Sequence, residues 1–293
     1  MRAGSLYRGR RRPGEMFLGA AVYGAAYFAV FLLLGIVGYV FFRGFRGLSI
    51  RFFLSVTSSL KGTAGIAGNM VNTVYLIALT LAGAVPVGVG AAVWLNEYAG
   101  NGILVRLLEF TLDTLAGIPS VIFGLFGMVL FGEVMGLGYS LLSGALTLAW
   151  MVLPLIVKNT RAALRAVPES YRQGALGMGA GKWDLVRTIL LPSAGNGILT
   201  GIILSVGRIT GESAALIFTA GSARILPRPA AGILDWPARL GGKILESGGS
   251  LAVELYLQMQ NGEYDTAFSI GCVLVFMVFL TNFLVKQVYA PER

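Results

Sequence analysis

The chain has no histidine and a single cysteine, Cys272, among its 293 residues. The first absence excludes imidazole metal sites and Ser-His triads. The second excludes a disulfide framework within the chain. Charge is also scarce, at 13% of residues, about half the share of an ordinary soluble domain. Acidic groups are the scarcer sign, 14 against 23 basic, for a net charge of +9. In their place stand a hydrophobic content of 56%, 41 glycines and a mean hydropathy of +0.75. No soluble core absorbs so much apolar sequence, and glycine suits close helix contact in lipid. The class is integral membrane protein.

Uncharged stretches at 16–42, 62–96, 114–132, 134–157, 188–207 (continuing to about 220) and 266–285 each reach the roughly 20 residues that cross a bilayer as helix. The alternating ten-residue segments of a barrel are missing. Six transmembrane helices are expected. The first follows Arg2, Arg8, Arg10, Arg11 and Arg12 and is too long for a signal-peptide core, so it reads as a retained helix. Basic residues concentrate in that tail and in 158–187 (Lys158, Arg161, Arg165, Arg172, Lys182, Arg187). The positive-inside rule then favours both termini in the cytoplasm. Arginines beside a span read as membrane orientation rather than as a nucleic-acid patch.

The expected organisation is a basic tail, first helix and outer loop in 1–67, a five-helix core in 68–286, and a cytoplasmic tail in 287–293. Two hydrophilic segments interrupt the core: 158–193 on the cytoplasmic side and 221–263 outside, the latter with Pro227, Pro229 and Pro237. Within the outer segment, SLAVELYLQMQNGEYD is expected to form a short helix lying on the membrane surface. The stretch GMGAGKW (177–183) has the look of a phosphate loop. It lacks the first glycine, Leu176 standing there, and Trp183 replaces the hydroxyl residue. The chain has no Walker motif of its own.

Segment 167–192 reads VPESYRQGALGMGAGKWDLVRTILLP. Pro168 suits a first helical position, and Gly177, Gly179 and Gly181 break the helix before another begins near 182. The loop resembles the coupling loop of ABC-importer permeases, E-A-A-x3-G-x9-I-x-L-P. Gln173, Gly174 and Ala175 occupy the E-A-A positions, Gly179 the glycine, and Ile189, Leu191 and Pro192 the ending. Gln for Glu removes a charge, and Gly for Ala weakens the helix by roughly 1 kcal/mol. Taken with LAGIPSVIFGLFG (115–127), GILTGIILSVGRITGESAALIFTA (197–220) and SLAVELYLQ (250–258), the loop makes the chain similar to phosphate-specific permeases of the PstA type.

The resemblance implies an all-α, type I permease fold in a bacterial or archaeal cytoplasmic membrane, moving inorganic phosphate by alternating access. It implies a second permease subunit, two copies of a cytoplasmic ATPase that uses ATP-Mg, and an external phosphate-binding protein. It implies neither catalysis nor a cofactor in this chain. Another oxyanion such as sulfate or molybdate, an ATPase-independent carrier, and a sensory component remain alternatives.

Two features carry the candidate sites. Pro119 removes a backbone hydrogen bond and is expected to bend the third span, with Gly117, Gly124 and Gly127 allowing close contacts; packing and gating both fit Pro119 and Gly124. In the fifth span, Arg208 lies about 15 Å from the nearer end at 1.5 Å per residue, too deep to snorkel. Glu212, four residues on, is expected on the same face as an ion-pair partner, together with Ser205 and Thr219. A guanidinium fork suits phosphate oxygens, while an ion pair that merely fixes helix contacts is the plainer alternative.

Overall fold

The computed structural model describes residues 13–58, 63–100, 102–224, 226 and 241–288, and these are mostly helical. Helix α1 (Pro13–Gly44) leads through a 3-10 turn (Phe45–Gly47) and short α2 (Ile50–Leu54) into a hairpin, β1 (Val56–Ser58) with β2 (Thr63–Ile66). The hairpin is antiparallel, with Val56 opposite Ile66, a small exception to the all-helical expectation. The remaining elements are α3 (Ala67–Val93), closed by a π turn (Trp94–Tyr98), α4 (Ile103–Gly117), and α5 (Ser120–Gly127), which continues as a π-helix (Met128–Val134). Then come α6 (Leu141–Arg165), α7 (Glu169–Gly177) and α8 (Lys182–Asp184), the last leading through a π turn (Leu185–Leu190) into α9 (Leu191–Gly211). Last are α10 (Ala214–Thr219), α11 (Leu251–Gln260) and α12 (Tyr264–Val288). The arginines of the basic tail, Pro227, Pro229 and Pro237 lie outside the described residues.

Five of these helices are long and apolar enough to cross a membrane, and six spans result when α4 and α5 count as one bent pair. The expected six therefore hold, but two of them are broken inside. Around Pro119 the two helices turn by 104°. Proline pushes the residue before it toward extended backbone, and Ile118 obeys, with ψ at 133°. Proline also removes an amide donor, so α4 stops at Gly117 and α5 restarts at Ser120. A Cβ on Gly124 would lie 2.8 Å from Ala215 Cα, and Gly127 sits against Thr147; both glycines allow close contact as expected, whereas Gly117 faces open space.

The second break is at Glu212, discussed below. The stretch SLAVELYLQMQNGEYD forms the expected short helix, α11, with one face packed inside the protein: Leu251, Ala252, Val253, Glu254 and Gln258 are buried, while Tyr256 and Met259 are exposed. Ser250 caps it by accepting from Val253 N.

The core forms where α3, α6 and α9 meet. On α3 the buried residues Asn72, Leu76, Thr80, Ala84, Gly88 and Ala92 recur every fourth position, a single ridge of a helix. Small residues on it let α6 approach: a Cβ on Gly88 would meet Ile156 at 2.7 Å. Gly197 and Gly201 give α9 the same access to Ala163 and Asn159. By contrast α1 is exposed along most of its length, as a lipid-facing helix is. It joins the rest only near its end, where Gly44 sits against Phe268 and Cys272, and Tyr39 meets Phe268 edge-on at 5.5 Å.

Candidate functional site

Two regions at opposite ends of α3 and α6 hold the candidate residues. At the carboxyl ends of both helices lies the loop 166–190. Pro168 caps α7 from just outside it, one place earlier than expected. Gly179 has φ +82°, a left-handed conformation that L side chains rarely adopt. That turn lets Ala180 N donate back to Ala175 O, so α7 folds against the chain that follows it. Ala175 is buried with Val93, Leu164, Val167, Leu185, Val186, Leu190 and Ala194, while Ile189 and Leu191 pack at the edge. Pro192 opens α9, where a missing N–H costs little. Gln173 and Gly174 are exposed, as are the apolar side chains of Tyr171, Leu176, Met178 and Trp183. One face of the knob is seated on the helices and the other is free.

The seat contains a residue that the sequence pattern did not single out. Arg172 Nη2 donates to Glu97 Oε1 at 2.9 Å and to the Leu164 carbonyl at 3.1 Å. Both charged side chains are mostly buried, at 14% and 12% exposure. Beside them α4 is tied to α6 by Lys158–Asp113 and Arg161–Glu109, each 2.7 Å. These four residues, with Arg165, line a cavity of about 250 Å³. Asp113 is thus an ion-pair partner, on the exposed side of α4.

Arg208 and Glu212 do not meet the expectation of a shared helix face. Helix α9 ends at Gly211, and Glu212 is extended at ψ 123°. Its carboxylate Oε1 accepts from Ala215 N at 3.1 Å, capping α10, a favourable place for an anion. The i,i+4 argument fails because it assumes continuous helix. Among the described residues Arg208 has no ion pair, and both side chains are partly exposed. Ser205 and Thr219 are buried, and each hydroxyl donates to the carbonyl four residues back, Gly201 and Ala215.

The amino-terminal ends of α3 and α6 hold a polar cluster that sequence reasoning missed. Arg224 Nε donates to Glu254 Oε2 at 2.7 Å, and Gln258 Nε2 to Glu254 Oε1 at 2.6 Å. Asn69 and Asn72 both donate to the Gly249 carbonyl, and Thr73 Oγ1 accepts from Leu251 N. The available signal was three amides or hydroxyls, Asn69, Asn72 and Thr73, opening an otherwise apolar span.

Comparison with known proteins agrees with this architecture. The sequence pattern of the family described as "Binding-protein-dependent transport system inner membrane component" matches residues 84–290. A probable ABC transporter permease protein of Bacillus subtilis, YqgI, is 35% identical over 70% of this chain and 68% of its own length. The phosphate transport system permease protein PstA of Xylella fastidiosa is 36% identical over 61% of this chain and 62% of its own. The PstA of Haemophilus influenzae is 32% identical over 74% and 76%. The chain thus spans about two thirds of the length of the first two of these relatives. Among solved structures, a bacterial alginate ABC transporter in complex with an alginate-bound periplasmic protein aligns with 93% of this chain and 94% of the matched chain. Its TM-score is 0.63 at 16% identity. An inward-facing MetNI methionine transporter aligns with 79% and 97%, at TM-score 0.56 and 18% identity. At such identities the two structures speak for the fold alone.

Proposed function

Because this chain belongs to the inner membrane components of binding-protein-dependent transport systems, we propose that it is the permease subunit of an ATP-driven phosphate importer. Both termini face the cytoplasm, and the loop 166–190 docks on an ATPase subunit. The observation that carries this reading is the knob itself. Its inner face, Ala175, Leu185 and Leu190, is buried against Val93 and Leu164 at the ends of α3 and α6. Its outer face offers Tyr171, Leu176 and Met178, apolar groups suited to a groove in a partner. A second permease subunit, two ATPase copies and an external phosphate-binding protein complete the transporter. The substrate follows from likeness to the phosphate permeases. Arg208, with no carboxylate bound to it among the described residues, supplies a planar donor fork for phosphate oxygens on the path.

The test is reconstitution of the four components in proteoliposomes with labelled phosphate. Uptake should need internal ATP, external binding protein and this chain, and excess sulfate or molybdate should leave it unchanged. Uptake without the ATPase overturns the ATP-driven reading. Strong competition by sulfate or molybdate overturns phosphate as the cargo.

A further inference from the structure

The coupling knob has a buried ion-paired anchor, and its geometry points to a specific route for force. Arg172 stands one residue before Gln173, on the inner side of α7. Its guanidinium bridges Glu97, in the π turn ending α3, and the carbonyl of Leu164, in the last turn of α6. The same Glu97 Oε1 also accepts from Asn96 Nδ2 at 2.6 Å. Leu164 O is one of the last carbonyls of α6, where it also accepts from Val167 N at 3.4 Å, and a cation there is favoured by the helix dipole. The pair is largely withdrawn from water, so its electrostatic strength exceeds that of a surface bridge. Glu169 approaches the same guanidinium at 3.7 Å, but from the exposed side. The apolar seat around Ala175 is a surface across which helices can slide. Two directional hydrogen bonds from one guanidinium nitrogen are not.

We infer that Arg172 is the positioning residue that locks α7 to the ends of α3 and α6, so that movement of the knob reaches those two helices directly rather than only along the chain into α9. The inference rests on the importer reading above and names the residues by which it is coupled.

The experiment uses the assembled transporter with Arg172→Gln and Glu97→Gln. Each should be recovered at the parent level, with basal ATPase within about twofold of the parent. Stimulation of ATPase by phosphate-loaded binding protein, and phosphate uptake, should both fall at least tenfold. Arg172→Lys keeps the charge but loses the planar guanidinium and should restore part of the stimulation. Glu97→Asp keeps the charge and shortens the arm, and should uncouple in the same direction if the Gln variants assemble poorly. Parent-level stimulation in the Gln or Asp variants overturns the inference. So does a loss of uptake that merely follows the amount of complex recovered.

Hydrogen exchange over 169–177 reads the pair without phosphate or ATP: both Gln variants should exchange at least tenfold faster there, and unchanged exchange overturns the inference. A parent complex that shows no stimulation would count against the importer reading, while the exchange result still decides the role of Arg172.

Discussion

Glu254 on α11 and Arg224 in the segment before it meet at 2.7 Å, with the Glu254 side chain only 1% exposed. The carboxylate is also bound by Gln258, so all its charge is answered inside the protein. Glu254→Ala would leave a half-buried arginine and an unpaired amide. Removing one partner of a buried pair costs about 3 kcal/mol or more. The thermal midpoint of the purified complex should fall by several degrees, whereas Arg224→Met with Glu254→Leu should recover most of it. A single variant as stable as the parent would show that water already reaches this pair.

The knob makes a conformational prediction at Gly179. Its φ of +82° costs an L residue about 1–2 kcal/mol. Proline, fixed near −65°, cannot adopt it at all. Gly179→Ala should weaken ATPase association, and Gly179→Pro should abolish it or leave an ATPase deaf to substrate. Normal transport by the proline variant would show that this turn is not part of the docking surface.

Much of the fold is open to sequence reading because a bilayer imposes a simple rule: about 20 uncharged residues make a span. The rule counts length and not continuity. It finds the stretches around Pro119 and Glu212 but not the break within each. The first break has a local cause, a proline that restricts Ile118, and is legible as a bend though not as a turn of 104°. The second depends on Glu212 choosing the Ala215 amide over Arg208, a choice between two partners that spacing cannot rank. The knob was legible because glycine and proline mark its turns. Arg172 was not, since its partners Glu97 and Leu164 are distant in sequence and only the packing of α3, α6 and α7 unites them. Nor was Glu254, whose acidic side chain in the hydrophilic stretch 221–263 looks like any solvated surface group.

Orientation is tested by reporter fusions. A fusion at 175, within α7, and one at 290, beyond the described residues, should report the cytoplasmic side. A fusion at 235, also beyond them, should report the outside. The basis is the excess of lysine and arginine in the tail and in 158–187. An inside signal at 235 would reverse the assignment of the knob to the ATPase side.

Close helix approach makes a further prediction. A Cβ at Gly201 would fall 2.7 Å from Asn159 Cβ, well inside ordinary contact. Gly201→Val should force α9 away from α6, at a cost of about 1–3 kcal/mol, and lower recovery of folded protein. Gly207, with open space around it, should accept alanine without loss. Equal recovery of both variants would mean that α9 and α6 adjust freely.

Arg208 and Glu212 can now be tested separately, because Glu212 is bound to the Ala215 amide and not to Arg208. Glu212→Gln keeps an oxygen to accept from Ala215 N, so α10 should stay capped and the complex should assemble. Any change in transport then reports the lost negative charge. Glu212→Ala removes the cap as well, at about 1 kcal/mol, and should lower stability. Arg208→Lys keeps the positive charge but not the planar fork. If the guanidinium meets phosphate on the path, uptake by an intact complex should drop at least tenfold. If Arg208 merely packs α9, Arg208→Met should assemble and transport like the parent. Uptake and recovered complex must be measured together across this series. An assembled Arg208→Met variant running at the parent rate would remove Arg208 from the phosphate path.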